Sequence, residues 1–380
     1  MSRLLERGWL AACRLGDAAL AGAHRIGSTA ALPWPQEGQA SVELVGVGSL
    51  GTVGEQTPVP IASLTKVMTA YVVLRAHPLG PEDAGPTVRI DRAAAEESGS
   101  AIESVVPVEE GQQYPLRQLL EFMLIPSGNN IARLLARWTA GSEAAFVRRM
   151  NAAASDLGMT RSAFTGSCGM DIGNVSTAAD LLTLAGAVMR DEVFRAIVST
   201  PSVPLPGGQG EGRTTNRLLG QYGVVGLKTG TSTPAGGNVL WAAYADVGGV
   251  RRLVLGAVLA QRTGRSPVRA RAAVWAHTRR LVMAVQRAAP DGFAVPRPCP
   301  LPEPALAAAV APAAARPGFA GGFPSPPLPE TLRGREPAAG RWAVLEELPQ
   351  DSRSSNAGGA PCSSNAGEAE YAGRSAAGRT

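Results

Sequence analysis

Three short stretches of this chain carry side chains able to make and break an acyl bond. In Pro60-Ile61-Ala62-Ser63-Leu64-Thr65-Lys66 a hydroxyl and an amine stand three residues apart. On a helix both fall on one face, which brings the Lys66 amine beside the Ser63 hydroxyl. A serine hydroxyl is a weak nucleophile at its own pKa, and an adjacent base is one way to activate it. Lysine can be that base when burial penalises its charged form and draws its pKa towards neutrality. The second stretch is Ser127-Gly128-Asn129, a further hydroxyl and a carboxamide directly after Pro126. Pro126 ends the preceding helix, so both side chains sit in a tight interhelical turn and can enter a cleft. The third is Lys228-Thr229-Gly230, closing the apolar run 224–227. A cation, a hydroxyl donor and a residue without Cβ at a strand end suit a bound anion. It is not a phosphate loop, because Leu227 stands where that motif needs glycine. Any one triplet alone would serve equally well as a turn or a helix cap. Together they make an acyl-transfer site: a nucleophile with its base, a second hydroxyl, and a cation for an anionic substrate end.

Other chemistries find less support. The three histidines, His24, His77 and His277, are scattered without an H-E-x-x-H context, which argues against a zinc hydrolase. No G-x-S-x-G elbow is present and no histidine neighbours a candidate serine, so Ser-His-Asp chemistry has no footing. Cys13, Cys168, Cys299 and Cys362 form no C-x-x-C pair, so neither a metal centre nor a structural disulfide is expected, and no cofactor is called for. Gly46-Val47-Gly48-Ser49-Leu50-Gly51 matches G-x-G-x-x-G, yet Gly54, Pro58 and Pro60 deny it the helix that a dinucleotide site needs. It reads as a hairpin turn. Glu96, Glu97 and Glu103 read as surface charge, and none of them, nor Glu109 or Glu110, is identified as a catalytic carboxylate.

The elements that must hold these residues follow from pattern. Among 380 residues, 45 Gly and 30 Pro point to a long unstructured part beside a core of ordinary apolar content. The net charge of +5 suits an anionic environment without naming one. Residues 1–32 read as a loose leader, and Arg14 and Asp17 interrupt the uncharged core that a secretory signal keeps. A strand over 41–47, a turn at 48–51 and a short return strand come next. Pro58 and Pro60 force an extended approach, so a helix begins near Ser63 and runs over 64–75. Helices follow over 116–124, 130–138, 142–157 (capped by Ser142) and 177–189, then strands over 224–228, 238–246 and 250–261. The last helix, 267–289, places Val268, Trp275 and Val282 a heptad apart. Its arginines read as a solvated face rather than a nucleic-acid site, since no recognition motif accompanies them. From Pro290 onward half of the 30 prolines appear, a low-complexity tail over 290–380 with one semi-ordered patch at 341–348.

In this order, S-x-x-K, S-x-N and K-T-G resemble the penicillin-recognising serine enzymes. The flanks Ile61 to Ala70, Met123 to Asn130 and Gly226 to Gly230, with Ser176-Thr177-Ala178-Ala179-Asp180 and Thr214-Thr215-Asn216-Arg217-Leu218-Leu219, are similar to the low-molecular-mass D-alanyl-D-alanine carboxypeptidases. The resemblance covers residues 32–289 and implies an α+β, β-lactamase/transpeptidase-like fold. That is a five-stranded antiparallel sheet flanked by helices, joined to an all-helical lobe at about 92–200, within one catalytic domain over 33–289. It implies that Ser63 attacks the D-Ala-D-Ala bond while Lys66 takes its proton, and that Ser127 relays a proton to the departing D-alanine. Asn129 would hold the acyl chain, and Lys228 with Thr229 the substrate carboxylate. Gly230 completes that motif, and backbone N–H groups of Ser63 and Thr231 would form the oxyanion hole. The partners implied are peptidoglycan pentapeptides and β-lactams, with no specific nucleic acid and with membrane or cell-wall association and oligomeric state left open. The place implied is outside the cytoplasm. A serine β-lactamase on the same fold and a non-catalytic penicillin- or peptidoglycan-binding protein are the alternatives.

Overall fold

The computed structural model describes residues 32–289. The leader up to residue 31, the tail and the patch at 341–348 lie outside the described residues. Five strands form the central antiparallel sheet: β1 (Gln39–Leu44), β2 (Gly48–Val53), β3 (Val224–Ser232), β4 (Gly236–Val247) and β5 (Val250–Gln261), in the order β2-β1-β5-β4-β3. Gly248-Gly249, both with positive φ, make the two-residue turn between β4 and β5. The first hairpin corrects the expected boundary: the chain turns at 45–47, and Gly48 to Gly51 already belong to the return strand.

Successive side chains on a strand point to opposite faces, and the sheet uses this to build two apolar layers. Leu240 and Ala242 of β4, with Leu255, Ala257 and Leu259 of β5, face the helical lobe. Val239, Trp241 and Ala243, with Val254 and Val258, face the last helix, α8 (Pro267–Ala288), through its Val274, Leu281, Val282 and Val285. α8 therefore buries one side and solvates its arginines, but the buried side is not the expected heptad: Val282 is buried, Trp275 is half-buried and Val268 is exposed.

The lobe inserted between β2 and β3 is helical. It holds α1 (Thr65–Ala76), α2 (Arg92–Glu97), α3 (Leu116–Leu124), α4 (Asn129–Ala140), α5 (Glu143–Asp156), α6 (Ala178–Val188) and α7 (Glu192–Val198), with three short two-stranded ladders between them. Side-chain caps set the starts of most of these helices. Asp91, Ser142, Thr177 and Asp191 each accept a hydrogen bond from the backbone N–H three residues on. Gly141, at φ +79°, ends α4 in the left-handed conformation that residues with a Cβ avoid. Helices α2 and α7 are additions to the sequence reading.

Candidate active site

Ser63 stands on a single 3-10 turn, Ala62–Leu64, from which α1 continues at Thr65. Ala62 enters that turn at φ +48°, a left-handed conformation unusual for alanine and one that the neighbouring chain must hold in place. Gly169 and Gly230 do the holding, because each passes so close to the Ser63 backbone that no Cβ fits. At Gly230 a Cβ would lie 2.6 Å from Ile61 O and 2.9 Å from Ser63 N. The glycine of the third motif is thus a steric necessity where β3 crosses the Ser63 turn.

Lys66 lies one turn along, fully buried, as the i, i+3 spacing requires. Its Nζ donates to Ser63 Oγ at 3.0 Å, to Asn129 Oδ1 at 2.5 Å and to the Cys168 carbonyl at 2.7 Å. Three protons meet three acceptors, so the ammonium is satisfied although buried. Burial is the main cause that lowers its pKa, from an ordinary 10.5 to about 8. Arg133 pushes the same way, while Cys168 and Glu103 push back. Loss of one proton leaves two N–H groups for the two carbonyl oxygens and a lone pair for Ser63. The geometry of a base is already built.

Pro126, Ser127 and Gly128 join α3 to α4. Ser127 turns the chain at φ +72°, and a Cβ on Gly128 would press on Val106 Cγ2 at 2.9 Å and Phe122 O at 3.1 Å. Asn129 opens α4, its N–H donating to Ser104 O at 2.8 Å. Asn130 pins the facing loop by accepting from Val106 N at 3.0 Å and donating to Val106 O at 2.8 Å.

The third motif lies inside β3, since the strand runs on to Ser232 instead of ending at Lys228. Thr229 shares a 2.6 Å hydroxyl–hydroxyl hydrogen bond with Thr215. Lys228 is buried and its Nζ donates to Thr229 O at 3.2 Å. Burial first, then the neighbouring Lys66 ammonium, pushes its pKa well below the ordinary lysine value.

These elements enclose a cleft of about 410 Å³ whose wall includes Ser63, Ser127, Thr229, Gly230 and Thr231. Lys66, Asn129 and Lys228 lie beneath that wall rather than on it. Arg217, Arg271 and Trp275 also line it. Glu103 departs from its sequence reading: it is not free surface charge but lies behind Asn129, accepting from Asn129 Nδ2 at 2.6 Å and from Arg133. Thr215 and Cys168, named in the sequence without a place in the site, join it only through long-range contacts. Among the described residues no cluster of His, Cys, Asp or Glu has the makings of a metal centre.

The chain is similar in sequence to known proteins. The D-alanyl-D-alanine carboxypeptidase family matches residues 50–258. The D-alanyl-D-alanine carboxypeptidase DacB2 of Mycobacterium tuberculosis is 36% identical over 202 residues, which are 52% of this chain and 65% of that protein. DacD of Escherichia coli, also a D-alanyl-D-alanine carboxypeptidase, is 36% identical over 200 residues, 51% of this chain and 50% of its own length. The match therefore spans about half to two thirds of these curated relatives. Among solved structures, the Streptomyces K15 DD-transpeptidase superposes with a TM-score of 0.55 at 28% identity, covering 64% of this chain and 95% of that one.

Proposed function

The chain belongs to the D-alanyl-D-alanine carboxypeptidase family, and on that premise we propose that it removes the terminal D-alanine of peptidoglycan stem peptides through an acyl-enzyme on Ser63. The observation that carries this reading is the Lys66 amine, buried and held by two fixed carbonyl oxygens with its remaining direction on Ser63 Oγ. Lys66 takes the Ser63 proton as the hydroxyl attacks the carbonyl of the D-Ala-D-Ala bond. Backbone N–H groups of Ser63 and Thr231 stabilise the tetrahedral oxyanion. Ser127, across the cleft, passes a proton to the departing D-alanine, and water then releases the shortened peptide. Asn129 supports the acyl chain with its amide. Thr229 binds the terminal carboxylate, with the Lys228 amine buried beneath it. A β-lactam presents a strained amide and a carboxylate to the same groups and acylates Ser63. The substrate places the activity outside the cytoplasm.

Labelling with a fluorescent penicillin, followed by intact mass, tests this directly. A long-lived adduct is expected on the wild-type protein and none on Ser63→Ala, together with D-alanine release from a pentapeptide by wild type alone. Penicillin consumed without a lasting adduct would assign the β-lactamase reading instead. Intact penicillin and no adduct would leave the cleft a binding site without chemistry.

A further inference from the structure

Glu103 belongs to none of the three motifs, yet its side chain is only 12% exposed and both its oxygens are engaged. Arg133, one turn along α4 from Asn129, donates Nη1 to Oε1 at 3.2 Å and Nη2 to Oε2 at 3.0 Å. Asn129 Nδ2 donates to the same Oε2 at 2.6 Å, while Asn129 Oδ1 accepts from Lys66. A carboxylate only accepts and an ammonium only donates. Between them, Glu103 and Lys66 therefore permit one orientation of the Asn129 amide. Turned over, the amide would aim its N–H groups at the ammonium and its oxygen at the carboxylate.

We propose that Glu103, clamped by Arg133, is a positioning residue for acylation, which fixes the Asn129 amide so that its oxygen anchors Lys66 against Ser63. The proposal rests on the reading of Ser63 as nucleophile and Lys66 as its base. Glu103 is not itself a base for the reaction. Burial pushes its carboxyl up, but the hydrogen bonds from Arg133 and Asn129 outweigh burial and hold it below the ordinary value. Its ion-pair partner is Arg133, which also pairs with Glu97 of α2; Glu97 in turn pairs with Arg137, the partner of Asp91. Lys66 is faced in addition by Cys168, next to the Glu143–Ser167 hydrogen bonds, and by Lys228 of β3. Without the Glu103 charge, Arg133 acts on Lys66 less opposed, and the amine gives up its proton more readily.

Acylation rates with a fluorescent penicillin, taken across a pH series on wild type, Glu103→Gln and Glu103→Ala, test the proposal. Glu103→Ala frees the amide to turn and is expected to acylate about tenfold more slowly at its optimum. Glu103→Gln keeps an acceptor oxygen but no charge, and its acidic limb is expected to move to lower pH. Adding Arg133→Met to Glu103→Gln removes the opposing charge and is expected to return the limb towards wild type. Melting curves establish that each variant is folded, and the Glu103→Gln limb decides if Glu103→Ala is not. Wild-type rates and limb in folded Glu103 variants would overturn the proposal. So would a loss that is equal at every pH with the limb unmoved, which is the mark of a merely structural residue. A wild-type protein that takes no adduct would instead overturn the reading of Ser63 and Lys66.

Discussion

At the scale of single residues, the site depends on a lysine that is costly to bury charged. Burial draws the Lys66 pKa to about 8, so the folded protein holds this proton less tightly than an unfolded chain whose lysine titrates at 10.5. On the proposed reading of Lys66 as base, its neutral, proton-accepting form predominates above about 8 and is lost as pH falls through it. The acylation rate should rise with pH to a plateau reached once Lys66 is neutral, which a penicillin-acylation pH profile will read. The stability linkage has the same sign. Between about 8 and 10.5 the unfolded state binds more protons, so the Lys66 contribution to stability improves with rising pH across that window. Lys66→Met should lower acylation at least about a hundredfold, the size of a lost general base. Lys66→Arg should be no better, because guanidinium does not deprotonate in this range.

The elements hold these residues by close approach, and one such contact lies in the two strands beside β3. Trp241 of β4 pairs with Gly256 of β5, and its indole covers the place where a Cβ on Gly256 would stand. Gly256→Ala should destabilise the sheet by about 2 kcal/mol through overpacking, read as a lower urea midpoint with unchanged slope. Apolar periodicity made the long elements legible in the sequence: β5 and α3 begin and end where the pattern does, and Ser142 caps α5 as its spacing suggested. The misses were short or polar. α2 has only six residues (Arg92–Glu97), and its Asp91 cap was the one signal available; α7 is announced in the same way by Asp191. The hairpin turn was misplaced because glycines at 48 and 51 look like turn residues, whereas both continue the strand with positive φ. In the site itself, Ser63 and Lys66 were legible because their contact is local. Glu103 with Asn129 and Thr215 with Thr229 were not, since only the folded chain brings those pairs together.

For the molecule as a whole, the cleft sits where the helical lobe meets the edge strand β3, and its charge decides what reaches it. Lys228 and Lys66 are buried at its floor, and their lowered pKa values mute the charge they present. Arg217 and Arg271 are exposed on the cleft lining and form no ion pair among the described residues. They are the cations that a carboxylate approaching from solvent meets first. Attraction of this kind acts over about a Debye length and raises the encounter rate rather than the intrinsic chemistry. The second-order acylation rate with an anionic penicillin should therefore fall as sodium chloride is raised, while the limiting rate at saturating penicillin stays nearly constant. Arg271→Ala should flatten that salt dependence, and a double variant with Arg217→Ala should flatten it further. A salt slope equal in all three proteins would show that the arginines do not steer the ligand, and capture would then rest on contacts within the cleft.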